Sequence, residues 1–193
     1  MRSTLCLMLV FAADTAADWW LRAVGEASEG FAAVASNGAE YVAVGKGGIV
    51  RLSSDGVHWR PLPHGTHSMR DVIWNDADDS FLAVGESGRL TAIQRSFSGD
   101  WQTATSSLAT GTHLNGIATD GRRVVVVGDN GTIRRSWGDD PRDQFDFTTV
   151  NIEFETAGGA DRDLNAVTWT GRNWIAVGEG GIVLRAGTSA SHW

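Results

Sequence analysis

The sequence predicts an all-β protein built from four repeats of one unit, and three observations support this fold class. An apolar strand that ends in a glycine-containing turn occurs four times, at residues 41–48, 81–88, 124–131 and 174–183. The first glycine of each copy lies at 45, 85, 128 or 178, so the copies are 40, 43 and 50 residues apart. Repeats of this length are typical of solenoids and propellers. No segment shows the long apolar 3.6-residue period that predicts a helix.

Each repeat is predicted to contain four antiparallel strands. An inner strand precedes the repeated strand (31–34, 71–74, 114–117, 164–167), and a third strand follows its turn (49–52, 90–94, 133–136, 182–186). An outer strand, opened by an aromatic residue, completes the unit. The two glycines of each copy predict positive φ angles in a tight hairpin. Four strands in about 40 residues form a β-propeller blade, so we expect a four-bladed propeller.

The N-terminal strand is expected to close the ring. The fourth repeat stops at Trp193, where its outer strand should begin, and residues 19–24 have the character of that missing strand. Trp19 precedes Gly45 by 26 residues, as Trp59 precedes Gly85. Closure would remove unpaired sheet edges. The sequence leaves open whether the blade closes within one chain or between chains, so a homo-oligomer is possible.

Composition and local sequence argue against a nucleic-acid partner, an intrachain disulfide, a membrane span and a cofactor. The net charge of −7 argues against a nucleic-acid partner, which would need a basic surface. The one cysteine cannot form an intrachain disulfide, and no apolar run is long enough to span a membrane. The repeated Gly-x-x-Gly lies between strands and never opens a helix, so no phosphate-binding loop and no cofactor are expected.

The chain is divided into an N-terminal segment, residues 1–18, and one propeller domain, residues 19–193. The first 13 residues place one arginine before an apolar run and small residues after it. This pattern is typical of a short secretory signal, and a retained strand or arm is the alternative. A secreted or periplasmic location is therefore expected, with a virion location as the alternative.

Residues 47–59, Gly-Gly-Ile-Val-Arg-Leu-Ser-Ser-Asp-Gly-Val-His-Trp, resemble a motif of the bacterial and phage Asp-box (BNR) β-propellers. That group includes the photosystem II stability/assembly-factor type and sialidase-like propellers, and the resemblance extends over roughly residues 19–193. It implies a structural turn at Ser53, Asp55, Gly56 and Trp59, in which the carboxylate accepts bonds from its own loop and the indole packs between blades.

Candidate binding residues lie in loops that share one face of a propeller. Lys46, Glu86, Asp129 and Glu179 occupy one equivalent turn position, where they could attract a cation or a basic partner; solubilising charge is the alternative. The blade-joining loops add His64, His67 and His113 to this face. No metal site is predicted, because loop spacing fixes no ligand geometry.

We expect no enzymatic activity, because a sialidase-like glycoside hydrolase would need a tyrosine nucleophile and the one tyrosine, Tyr41, opens a central strand. The predicted function is a non-catalytic interaction module that presents a loop face to a protein or glycan partner, as a secreted or periplasmic assembly or adhesion factor. A virion structural component that assembles through symmetric contacts is the first alternative, and the glycoside hydrolase is the second.

Overall fold

The computed structural model describes residues 30–63, 65–108, 111–136, 152–154 and 162–188. This part of the chain folds into four antiparallel sheets of three or four strands. The prediction of an all-β protein with four repeated sheets is confirmed. The strands are β1 (Phe31–Ser36), β2 (Tyr41–Gly45), β3 (Val50–Ser53), β4 (Arg60–Pro61), β5 (Met69–Asn75), β6 (Ser80–Gly85), β7 (Arg89–Arg95), β8 (Trp101–Ser107), β9 (Leu114–Thr119), β10 (Val124–Gly128), β11 (Ile133–Ser136), β12 (Ile152–Phe154), β13 (Leu164–Trp169), β14 (Trp174–Gly178) and β15 (Val183–Ala186).

Each sheet is a meander in which strands adjacent in sequence are also adjacent in space. The first sheet has the order β1-β2-β3-β4, the second β5-β6-β7-β8 and the third β9-β10-β11-β12, while β13-β14-β15 form the fourth. The predicted closing strand, residues 19–24, lies outside the described residues, as do the 1–18 segment, His64 and Trp193. Within the described ranges, no helix is long and apolar enough to cross a membrane.

The turn between the second and third strands has one backbone conformation in three of the sheets, at Lys46–Gly48, Glu86–Gly88 and Glu179–Gly181. Its second and third residues both have positive φ, for example 62° at Gly47 and 78° at Gly48. This is the backbone of a type I′ hairpin turn. The expectation of positive φ is therefore correct for the second glycine of each copy.

The first glycine of each copy has a different reason to be glycine, which corrects the sequence interpretation. Gly45 and Gly85 have extended backbones with φ of −176° and −177°, and any residue can adopt that conformation. A Cβ at Gly85 would instead lie 2.0 Å from the carbonyl oxygen of Ser68. At the other three copies, a Cβ would meet an equivalent carbonyl oxygen at 1.9 to 2.2 Å, those of Gly30, His113 and Asp163. Glycine is required here by close backbone packing.

The hydrophobic core consists of apolar layers between consecutive sheets. In β6, Phe81 and Ala83 pack toward the first sheet, while Leu82 and Val84 pack toward the third. The same alternation holds in β10, where Val125 and Val127 pack against the fourth sheet. Alternate residues of a strand point to opposite faces, so a central sheet needs apolar residues at every position. This explains why Val124–Gly128 reads as four consecutive valines before its glycine.

Candidate functional site

The loop face is the face that carries the turns between the second and third strands. Its four predicted charged residues occupy equivalent positions, because the backbone N–H of each donates to a carbonyl oxygen just before the first strand of its own sheet. These bonds measure 2.8 to 3.0 Å, from Lys46, Glu86, Asp129 and Glu179 to Gly30, Ser68, His113 and Asp163, respectively. The loop-face residues therefore share one backbone geometry in all four sheets.

Side chains of the following sheet cap these turns. The N–H of Gly47 donates to Ser68 Oγ at 3.2 Å, and the N–H of Ser87 donates to His113 Nδ1 at 3.1 Å. The N–H of Asn130 donates to Asp163 Oδ1 at 2.9 Å. Each cap ties one sheet to the next. His113 therefore serves a sheet-to-sheet contact, and it accepts this bond through an unprotonated ring nitrogen.

Two of the three acidic loop-face residues also accept hydrogen bonds within their own sheets, and one of them, Asp129, lies near a cation of the preceding sheet. Glu86 Oε2 accepts the N–H of Ser68 at 3.2 Å, and this bond is the main reason that the pKa of Glu86 lies below its usual range. Asp129 Oδ1 accepts Asn115 Nδ2 at 2.9 Å and lies 3.9 Å from a guanidinium nitrogen of Arg70. Lys46 and Glu179 are exposed. The predicted charged ring is thus partly a structural network.

The histidines of the loop face do not occupy equivalent positions. Met69 pairs with Gly85 and Leu114 pairs with Gly128, so His67 corresponds to Thr112 and not to His113. The third histidine of the prediction, His64, lies outside the described residues. Among the residues that the structure describes, no group of three or more His, Cys, Asp or Glu side chains could hold a metal ion.

A half-buried carboxylate that the sequence did not predict, Asp71, lies between the second and third sheets. Asp71 Oδ2 accepts the N–H of Ile117 at 2.9 Å, and its Oδ1 accepts the N–H of Val72 at 2.9 Å. Burial raises the pKa of Asp71 above its usual range. The side chain satisfies a backbone donor on the inner strand of the next sheet, which explains why a carboxylate is kept there.

The turn between β3 and β4 contains a dense set of hydrogen bonds. Asp55 Oδ1 accepts the N–H groups of Val57 and His58, both at 2.8 Å, and its Oδ2 lies 2.7 Å from His58 Nδ1. Ser53 Oγ accepts the N–H of Gly56 at 2.9 Å, and Gly56 has a φ of 70°. The bond to the His58 ring and those to the backbone hold the pKa of Asp55 far below its usual range.

This turn borders a cleft between the first two sheets, on the face opposite the loop face. We call it the tryptophan cleft; its volume is about 580 Å³. Its side chains come from the turns at the ends of β1, β3 and β7, and they combine two indoles with charged groups. Residues that line the cleft include Glu40, His58, Trp59, Arg60, Arg95, Asp100 and Trp101.

One side of the tryptophan cleft is fixed by hydrogen bonds and stacking. Trp101 is buried, and its indole N–H donates to Glu40 Oε1 at 3.1 Å. The Arg95 guanidinium forms an ion pair with Glu40 and stacks 4.8 Å above the Trp101 ring. Trp59 is half-buried, and its indole N–H donates to the Gly56 carbonyl at 3.3 Å. The sequence predicted that the Trp59 indole packs between blades, but it did not predict this cleft, whose two sides come from different sheets.

Comparison with solved structures decides the fold. YCF48 from Cyanidioschyzon merolae matches with a TM-score of 0.63 at 15% identity, covering 84% of this chain and 52% of that chain. The chain has the β-propeller fold. A catalytically inactive virginiamycin B lyase from Staphylococcus aureus, with quinupristin, matches this propeller with a TM-score of 0.62 at 10% identity, covering 79% of this chain and 50% of the lyase.

Computationally designed proteins match the propeller as well. The Ika4 protein matches with a TM-score of 0.58 at 12% identity, covering 86% of this chain and 95% of Ika4. The propeller thus spans nearly all of Ika4 but about half the length of YCF48 and of the lyase. No protein-family profile matches the sequence, and no curated protein does.

Proposed function

We propose that this propeller is a non-catalytic binding module and that the tryptophan cleft receives a glycan. The observation that supports this function best is the pairing of a half-buried indole, Trp59, with polar groups that are already held in place. An indole offers an apolar face against which the C–H face of a sugar ring can pack. A cleft of about 580 Å³ lies within the size range of small-ligand sites.

The polar groups of the cleft suit the hydroxyl groups of a sugar. Arg95 and Glu40 are fixed by their mutual ion pair and by Trp101, so binding would cost little side-chain entropy there. Arg60 and Asp100 line the same cleft and add one charge of each sign. The two cations and two anions balance, which favours an uncharged glycan over a strongly acidic one.

The carboxylates of the described chain support binding over hydrolysis. A glycoside hydrolase needs a carboxylic acid with a raised pKa that can protonate the leaving group. Asp55, which borders the cleft, has a lowered pKa because of its bonds to His58 and Val57. Burial raises the pKa of Asp71, but one of its oxygens accepts the Ile117 N–H of the next sheet and the other accepts the Val72 N–H of its own strand.

A glycan-array screen followed by calorimetry tests this proposal. We expect Trp59→Ala to weaken binding by at least about tenfold, or about 1.4 kcal/mol. Phe97→Ala is the matched control, because Phe97 is fully exposed in a nearby turn but does not line the cleft. Equal losses in both variants, or full affinity in Trp59→Ala, would contradict the cleft as the site. Turnover of a bound glycan would contradict the non-catalytic assignment.

The loop face is the second candidate surface, for a protein partner. Its exposed charges, Lys46 and Glu179, lie in turns of the first and last sheets, and neither has a partner role in the sheet-to-sheet network described above. The resemblance to assembly-factor propellers favours a secreted or periplasmic assembly or adhesion factor, and a virion component is the alternative. Affinity capture from the native source with wild type and a Lys46→Glu/Glu179→Lys double variant tests this surface. A partner retained equally by both would rule it out.

A further inference from the structure

We propose that two copies of this chain pack head to tail, so that the last sheet of each covers the first sheet of the other and eight sheets complete one ring. The proposal is independent of the glycan site. It follows from the exposed faces of the terminal sheets, which carry the residues that are buried between sheets everywhere else in the propeller.

The position of a residue in its strand determines which neighbouring sheet it faces. In the first strand of each sheet, the residue that pairs with the third residue of the second strand faces the preceding sheet. Val72 in the second sheet and Ile117 in the third hold this position, and both are buried against the sheet before them. Val34 holds the same position in the first sheet, where no described sheet precedes it. Its exposed fraction is 61%, against 4% for Val72.

The last sheet shows the complementary exposure. In the third strand of each sheet, the first residue that pairs with the second strand faces the following sheet. In the first three sheets this residue is Val50, Leu90 or Ile133, and each of them is buried. Val183 holds this position in β15 with an exposed fraction of 67%, against 0% for Val50. Its neighbour Val177 is also exposed. An apolar face of this kind usually marks an interface.

The two exposed faces do not cover each other within one chain, since Val34 and Val183 both keep most of their surface exposed. They are nevertheless the two halves of a sheet-to-sheet junction. The fourth sheet offers the face that elsewhere packs on a following sheet, and the first offers the face that packs on a preceding one. A second copy supplies both missing halves with geometry that already occurs three times in this propeller.

The comparison of lengths favours two copies. The chain covers 95% of Ika4, but it covers only 52% of YCF48 and 50% of the lyase. Two such arcs together match the length of YCF48 or of the lyase, and a two-fold axis closes a head-to-tail pair with two identical junctions.

Sedimentation equilibrium and native mass spectrometry of the full chain test the proposal. We expect wild type to have twice the 20.6 kDa chain mass. Val34→Lys and Val183→Lys each place a charge in both junctions and should weaken the dimer at least about 100-fold. Phe97→Lys is the matched control, because Phe97 is fully exposed in the turn after β7 of the second sheet, which forms neither face, and it should leave the dimer unchanged. Circular dichroism of each variant verifies that the monomer remains folded.

A mixing experiment identifies the head-to-tail arrangement. A pair of Val34→Lys and Val183→Lys chains contains one junction with both intact faces, so the mixture should recover dimers that neither variant forms alone. A wild-type monomer at about 100 μM, an open polymer, or a dimer that both substitutions leave unchanged would each overturn the proposal. A mixture that stays monomeric while wild type dimerises would overturn it as well, because a head-to-head pair predicts no recovery.

Discussion

Replacing Gly85 with alanine tests whether the first glycine of each repeat is required by contact and not by backbone conformation. The φ of Gly85 is −177°, so alanine meets no torsional strain. Its Cβ would lie 2.0 Å from the Ser68 carbonyl oxygen and 2.8 Å from the Met69 Cα, where ordinary contact begins at 3.4 Å. Both atoms belong to backbone, so β5 and β6 must separate at this point.

The magnitude follows from two costs. Forcing a methyl group into a packed site costs about 1–3 kcal/mol. Moving the Ser68 carbonyl also weakens the bond that it accepts from the Glu86 N–H at 2.9 Å, which contributes about 1 kcal/mol. We therefore expect Gly85→Ala to lower the free energy of unfolding by about 2–4 kcal/mol, a large share of the stability of a typical domain.

Equilibrium unfolding in urea, followed by tryptophan fluorescence, measures this change. Gly187→Ala is the control for losing a glycine as such, because a Cβ there has nothing within 4 Å, and its effect should stay within about 0.5 kcal/mol. If Gly85→Ala also remained within that range, the steric explanation of the repeated glycine would be refuted.

Two further predictions concern the carboxylates. Because burial raises the pKa of Asp71, the protonated carboxyl group stabilises the folded state below its ordinary pKa, and this stabilisation is lost as the pH rises through the raised pKa. Asp71→Asn keeps an acceptor for the Ile117 N–H but does not titrate, so at pH 7 its free energy of unfolding should be at least that of wild type. Urea unfolding should show that this difference in free energy shrinks toward pH 3. Asp55→Ala removes the acceptor of the Val57 and His58 N–H groups. The fluorescence emission of Trp59 should therefore shift toward that of an exposed indole, while the cooperative unfolding transition of the protein persists. An unchanged Trp59 emission spectrum would show that Asp55 does not organise the turn.

The sequence predicted features that depend on residues near each other in the chain. The period of the Gly45, Gly85, Gly128 and Gly178 copies gave four sheets, and the alternation of apolar residues gave their strands. The second glycine of each copy was assigned correctly to a turn, because a type I′ hairpin depends on only four consecutive residues.

Features that depend on contacts between residues far apart in the chain were not predictable from those local patterns. The close approach of Gly85 to Ser68 joins residues 17 positions apart, and the cap from His113 to the Ser87 N–H joins two sheets. The tryptophan cleft is formed by the turn at Glu40 together with the Trp59 and Trp101 loops. The spacing of residues along the sequence does not show which side chains come into contact. Charged residues that form hydrogen bonds in the fold, such as Glu86 and Asp129, could therefore not be distinguished from freely exposed ones.

The position of a sheet in the propeller, and not the residue type, decides whether an equivalent valine is buried. Val50 and Val183 hold the same strand position with exposed fractions of 0% and 67%. Thermal unfolding of dilute Val50→Lys and Val183→Lys tests this most directly, because a buried unpaired charge costs several kcal/mol and an exposed one costs little. We predict that Val50→Lys loses its cooperative transition while Val183→Lys unfolds like wild-type monomer; equal destabilisation of both variants would show that sheet position does not decide burial.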